Sequence, residues 1–305
     1  MQSSKNILLI RPSTFSFNPE TAASNAFQVE INESEEAIKR KKLQEFEAFV
    51  KTLRSKGVNV FVADDTTFPA KPDAIFPNNW VSFHSDGTVI LYPMYAPNRR
   101  HERRKDILDL LEKNFEVTNI LDLSKYENEG KYLEGTGSII FDHINKLAYA
   151  CLSPRTNKEL LLEVCDYLKY QPIHFYAHDE SRKEIYHTNV MMCIGEKFSV
   201  ICLESITDLA EREMVTRSLA ETGHEVIEIT FDQMKNFAGN MLEIQTNVSK
   251  SILALSQSAY DSLTTNQKKE IEKYSELVPL TIKTIETIGG GSARCMIAEI
   301  FLQEK

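Results

Sequence analysis

The chain has 305 residues, 42% hydrophobic and 26% charged, with 44 acidic against 35 basic side chains and a net charge of −9 at pH 7. This composition suffices for a substantial core and excludes a disordered chain, and the acidic balance gives no broad electrostatic reason for nucleic acid or an anionic membrane as partner. Five cysteines, an odd number, fit reduced thiols better than a disulfide framework.

The first apolar run, Ile7 to Ile10, is too short for a signal segment or a membrane span, so the expected address is cytoplasmic. It reads as a strand, ILLIRP. Ser13 to Glu33, rich in Asn, Ser and Ala without a period, reads as a long loop that is either a functional lid or a solvated connector. The helix EEAIKRKKLQEFEAFVKTLRSKG follows from Glu35, then the strand VNVFVA from Val58.

From here one order of patterns repeats. Small polar clusters run straight into apolar strands: FPNNWVSF, EGTGSIIFD, HTNVMMCI, AGNMLEI and SARCMIAEIF. After the first four comes a second strand (VILYPM, LAYACLS, FSVICLES, SILALS). A helix follows: DILDLLEKN from Asp106, NKELLLEVCDYLKY from Asn157, DLAEREMVTRSLAETG from Asp208 and SAYDSLTTNQKKEIEKYS from Ser258. A third strand then returns (FEVTNIL, PIHFYA, HEVIEIT, LVPLTIK). The cluster centres are Asn79, Glu134, His187, Asn240 and Cys295, at intervals of 55, 53, 53 and 55 residues, the mark of repeated supersecondary units.

The fifth cluster is followed by only ten residues after Cys295, so its unit lacks a second strand, a helix and a third strand. The N-terminus has all three. The expectation is an α/β chain forming one domain, 1–305, of five ββαβ units closed into a ring, with the first strand completing the last unit, helices outside and cluster residues facing the axis.

Such a ring brings together a thiol, an imidazole and a carboxylate. Cys295 follows three glycines, Gly289 to Gly291, whose backbone can approach a substrate closely. A thiolate needs a partner that lowers the thiol's pKa, and His187 can serve as acid and base in successive steps while Glu134 orients it. Cys151, Cys165, Cys193 and Cys202 lie in apolar segments and read as structural. His174 and His178 lack the further ligands of a metal set, and no phosphate-binding glycine fingerprint is present, so neither metal nor cofactor is expected.

Five motifs in this order, with Glu134, the HTN of His187 and GGGSARC, resemble the guanidine-modifying superfamily with the five-bladed α/β-propeller (pentein) fold, over essentially the whole chain. The resemblance implies that Cys295 attacks the central carbon of a guanidinium or ureido group, that His187 protonates the leaving amine and that water releases the covalent intermediate. It also implies substrate-binding roles for Asn79 or its neighbour Asn78, Asn189, Phe76, Gly291, Arg155, and Arg99 or Arg100, the arginines holding the substrate carboxylate. Family members commonly have acidic residues where this chain has Asn79 and Asn189. Two carboxylates suit a cationic guanidinium, whereas Asn offers the donor and the acceptor that a neutral urea needs. The combination FPNNW, EGTGS, YHTN and GGGSARC therefore resembles the amidinotransferase-like citrulline hydrolase branch.

The expected activity is hydrolysis of L-citrulline to ornithine, ammonia and carbon dioxide. The alternatives are an arginine deiminase-like, dimethylarginine hydrolase-like or amidinotransferase activity, or a non-catalytic ribosome-associated protein of the same fold. The expected partner is a small amino-acid substrate, with no nucleic acid and no membrane; a homodimer is compatible with this reading.

Overall fold

The computed structural model describes residues 1–22, 25, 27–29 and 34–305. Within them the chain runs through β1 (Asn6–Arg11), helix Glu35–Ser55, β2 (Asn59–Asp64), β3 (Val81–Phe83), β4 (Thr88–Leu91), helix Lys105–Glu112 and β5 (Asn119–Asp122). It continues through β6 (Ile140–Asp142), β7 (Leu147–Cys151), helix Lys158–Leu168, β8 (Gln171–Phe175), β9 (Met192–Ile194), β10 (Phe198–Ile201), helix Leu209–Glu221 and β11 (Glu225–Glu228). Last come β12 (Leu242–Gln245), β13 (Ser251–Ser256), helices Gln257–Ser262 and Thr265–Glu272, β14 (Glu276–Leu280), helix Lys283–Gly289 and β15 (Ala298–Ile300).

The pairing follows one rule. In each unit the first strand lies antiparallel to the second and the third runs parallel to the second: β3-β4-β5, β6-β7-β8, β9-β10-β11 and β12-β13-β14. The parallel step needs a crossover, which the helix supplies. The ends of the chain complete the fifth set, β15 antiparallel to β1 (Asn6↔Ile300) and β1 parallel to β2. A single parallel pair, Ile300↔Phe83, joins this set to the next, giving one six-stranded and three three-stranded sheets among the described residues rather than one continuous barrel.

Burial explains the apolar runs. β7 is buried at all five positions and β10 at all four, as expected for middle strands covered on both faces. Helix Glu35–Ser55 opens on Ser34, whose side chain accepts from the Ala37 N–H. It buries Phe46, Phe49, Val50 and Leu53, each at most 3% exposed, along one stripe. Each such side chain contributes about 1.5–3 kcal/mol by leaving water. Trp80 is core, packed with Val81, Phe83 and Met94.

Two expectations differ from the fold. The stretch from Ser258 is two helices, because Thr264 caps a new one, its side chain accepting from Gln267 N while Gln267 reaches back. The run Ser13 to Glu33 contains a helical turn, Pro19–Ala22, and residues 23, 24, 26 and 30–33 of it lie outside the described residues.

All five cluster centres occupy the short turn before the first strand of a unit. Asn79 ends the turn Pro77–Asn79, Glu134 and His187 precede the turns Gly135–Ser138 and Thr188–Met191, and Asn240 and Cys295 stand just ahead of β12 and β15. The turn Gly135–Ser138 touches both Pro77–Asn79 and Thr188–Met191. Gly135 makes that approach possible: its φ is +48°, and a Cβ there would sit 2.3 Å from the Asn78 carbonyl oxygen.

Candidate active site

The turns converge on a small cavity lined by Cys295, His187, Asn79, Phe76, Arg155 and Gly291, together with Asp73, Arg99, Tyr186, Thr21, Asn25, Gly289 and Gly290. Thiol and imidazole, 108 residues apart in sequence, thus share one chamber. Glu134 lies behind them, 0% exposed.

Glu134 organises this chamber. One carboxylate oxygen accepts the Tyr95 N–H at 2.9 Å, and the other accepts from His187 Nε2 at 2.8 Å and from Arg155 at 3.4 Å. Burial alone would raise its pKa, but the Arg155 charge and the His187 bond outweigh it and hold the carboxyl below the usual carboxylate range. Glu134 is therefore ionised. His187 is pushed down to about 4, chiefly by burial, with the Glu134 bond opposing. A neutral imidazole that donates from Nε2 carries its lone pair on Nδ1. Gly137 lies beside that nitrogen: a Cβ there would sit 2.8 Å from His187 Nδ1 and 2.4 Å from Asn79 Nδ2.

Asparagines surround the thiol. Cys295 Sγ lies 3.2 Å from Asn240 Nδ2 and 3.4 Å from Asn189 Nδ2, while the Cys295 N–H reaches Asn240 Oδ1 at 3.4 Å. Asn240 also donates to the Asn189 carbonyl at 2.8 Å. Two amide NH2 groups are thus directed at the sulfur. Asn240 was visible in the sequence as the centre of the fourth cluster, but nothing there assigned it a role.

The predicted substrate residues divide. Asn79, Phe76, Gly291, Arg155 and Arg99 line the cavity; Asn189 reaches it through Cys295. Asn78 is buried with no hydrogen-bond partner for either amide atom among the described residues, and its carbonyl packs on Gly135. Arg100 is not brought in. It is turned to the Met94 carbonyl and Glu127, with its side chain 30% exposed, because Arg99 and Arg100 are successive residues of one helical turn and point apart. Arg99 was expected to take a carboxylate, yet its guanidinium is engaged by Glu102, Asn79 and the Phe76 carbonyl.

Asp73 was missed in the sequence. It stands three residues before Phe76, and only its acidity in an apolar stretch marks it. One oxygen accepts from Asn18 at 2.7 Å and from Thr21 at 3.3 Å; the other has no partner among the described residues. Burial raises its pKa, opposed by the charges of Arg99 and Arg155. Asn18, Thr21 and Asn25 bring the N-terminal segment to the cavity, Asn25 donating to the Gly290 carbonyl at 3.3 Å and Arg155 to that of Thr21 at 3.2 Å. Tyr186 stacks under Arg155, 4.8 Å from ring centre to guanidinium carbon.

The other four cysteines are buried, each pKa pushed up to about 12 by desolvation, as suits structural thiols. Among the described residues no three His, Cys, Asp or Glu side chains are grouped to hold a metal ion. No helix among them is long and apolar enough to cross a membrane.

The same architecture occurs in solved structures of low sequence identity. ArgZ in its apo form, an arginine dihydrolase from the ornithine-ammonia cycle in cyanobacteria, superposes with TM-score 0.73 at 16% identity over 97% of this chain, which spans only 40% of the ArgZ chain. The substrate-bound N-terminal domain of ArgZ gives TM-score 0.74 at 15% identity, covering 97% of this chain and 99% of that domain. A dimethylarginine dimethylaminohydrolase variant in adduct with S-methyl-L-thiocitrulline gives 0.65 at 14% identity, covering 98% and 100% of the two chains. No curated protein sequence matches the chain. The family model for N,N dimethylarginine dimethylhydrolase, eukaryotic, matches residues 11–302. With that match across nearly its whole length, the chain belongs to this family of the guanidine-modifying pentein superfamily.

Proposed function

We propose that the five units form the five-bladed pentein propeller as one catalytic domain, and that the protein is a cysteine hydrolase acting on the ureido group of L-citrulline. The observation that carries the substrate is the pair of asparagines. Asn79 keeps a buried NH2 without a partner among the described residues, and Asn189 an unpartnered Oδ1. One donor and one acceptor match the carbonyl and the NH2 of a urea; a guanidinium has donors alone.

In the proposed reaction Cys295 gives its proton to His187 Nδ1 and the thiolate attacks the ureido carbon, with Asn79 donating to the oxygen that gains charge. The imidazolium, stabilised by Glu134, returns the proton to the departing nitrogen, leaving an S-carbamoyl cysteine. Water, deprotonated by the same imidazole, then attacks the carbamoyl carbon and breaks its bond to sulfur, releasing the thiolate and a carbamic acid that loses carbon dioxide to free the second nitrogen as an amine. Citrulline and one water give ornithine, carbon dioxide and ammonia. At the amino-acid end, Arg155 would face the carboxylate and the open oxygen of Asp73 the ammonium group.

The second reading is hydrolysis of arginine or a methylated arginine, which the family match favours. Assaying ornithine and ammonia from citrulline, beside arginine, agmatine and methylated arginines, separates the two. Turnover of a guanidino compound without turnover of citrulline would overturn the first.

A further inference from the structure

Asn79 is not free to choose which end it shows the cavity. Its Oδ1 accepts from Arg99 Nη1 at 2.9 Å. A guanidinium carries only donors, so rotating the amide would set NH2 against N–H. Arg99 is itself fixed: Nε and Nη2 each lie 2.9 Å from an oxygen of Glu102, and Nη2 lies 3.3 Å from the Phe76 carbonyl. Both members of this fork-to-fork pair are at most 3% exposed. Nδ2 of Asn79 is thereby left pointing its hydrogens away from Arg99, buried and without a partner among the described residues, on a residue that lines the cavity. Asn189 is set the opposite way, its NH2 spent on the Cys295 sulfur and its oxygen open.

We propose that the Arg99–Glu102 ion pair is a positioning element that determines specificity. It locks Asn79 with its N–H groups toward the substrate, so the site requires a hydrogen-bond acceptor on the reacting group. This rests on the citrulline reading above and extends it to residues that need not touch substrate. A ureido oxygen meets the requirement. A guanidinium leaves a buried donor facing donors, which disfavours it by roughly 10- to 100-fold. Four of the five N–H groups of a guanidinium are used in this arrangement, which suits Arg99 to this task better than to holding a carboxylate.

The test is the ratio of kcat/KM for citrulline to that for arginine, measured in the wild type, in Arg99→Leu/Glu102→Leu and in Asn79→Asp. Removing both charges together strands neither. Asn79→Asp preserves shape and keeps its bond from Arg99 while replacing the presented donor by an acceptor. The expected result is a wild type that prefers citrulline, a ratio reduced about 10- to 100-fold in the double variant, and a shift toward arginine in Asn79→Asp. A purely structural role would lower both substrates alike. If the wild type prefers citrulline and either variant that melts as a folded protein keeps the wild-type ratio, the positioning role is overturned alone. If the wild type prefers arginine, the citrulline reading falls first and this inference with it.

Discussion

Replacing Glu134 by Gln tests the centre of the site with almost no change in shape. The carboxylate accepts three N–H bonds, from Tyr95, His187 and Arg155, at 0% exposure. An amide of the same size has one oxygen and must turn its NH2 toward at least one of those donors, leaving it unsatisfied at a cost of about 1–3 kcal/mol. Arg155, 2% exposed, loses its carboxylate partner, and breaking a buried pair costs about 3–5 kcal/mol. These penalties overlap, so the expected loss is about 3–5 kcal/mol, a fall in urea midpoint of about 1–1.7 M with a slope near 3 kcal/mol/M.

The pH dependence has a definite sign. The folded carboxyl titrates well below its ordinary value of 4.5, so its contribution is complete above that pH and fades as pH falls. The gap between wild type and variant should hold from pH 7.5 to 5 and narrow by about 1.4 kcal/mol per pH unit below 4.5. Catalysis should drop by about 10³–10⁴-fold, the scale seen when a carboxylate that orients a catalytic imidazole becomes an amide. Urea unfolding followed by circular dichroism at several pH values, with an ornithine assay, reads all three effects. A variant whose midpoint stays within about 0.2 M of wild type and whose turnover is unchanged would refute the assigned role of Glu134.

Cys295→Ser should lose at least about 10³-fold in turnover while melting near the wild-type temperature; acid quenching of the wild type with substrate should show added mass on the Cys295 peptide, absent from the variant. His84, bonded to Ser82 at 2.7 Å and buried, is pushed down to about 4, so it favours the folded state above its unfolded value of 6.5 and loses that effect toward pH 4. The stability difference between wild type and His84→Gln should therefore fall by about 3 kcal/mol from pH 6.5 to 4 in urea titrations; a flat difference contradicts this. Gly135→Ala should cost about 3 kcal/mol or more, since it adds left-handed strain to a 2.3 Å clash with the Asn78 carbonyl, and should reduce turnover by displacing Asn79. Wild-type melting and activity in this variant would show that the turn yields.

Periodicity carried much of this structure into the sequence. Middle strands such as LAYAC are apolar at every position because both faces are covered, and helices announce themselves through caps such as Asn157 and Asp208. The repeat also placed Glu134, His187 and Cys295 in equivalent turns, so the catalytic candidates were legible before any contact was known. Asp73, Thr21 and Asn25 were not, because they come from segments outside the repeat and reach the cavity only through tertiary folding. Nor could the chain order separate Arg99 from Arg100: adjacent basic residues look alike until one helical turn sends them in different directions.

The strand that follows the turn of Cys295 is gripped by a partner nearly 300 residues away in the sequence, Asn6 beside Ile300. Closing so long a loop carries an entropic cost that local contacts do not share. Removing either β1 or β15 would thus strip the turn of Cys295 of the strand pairing that follows it.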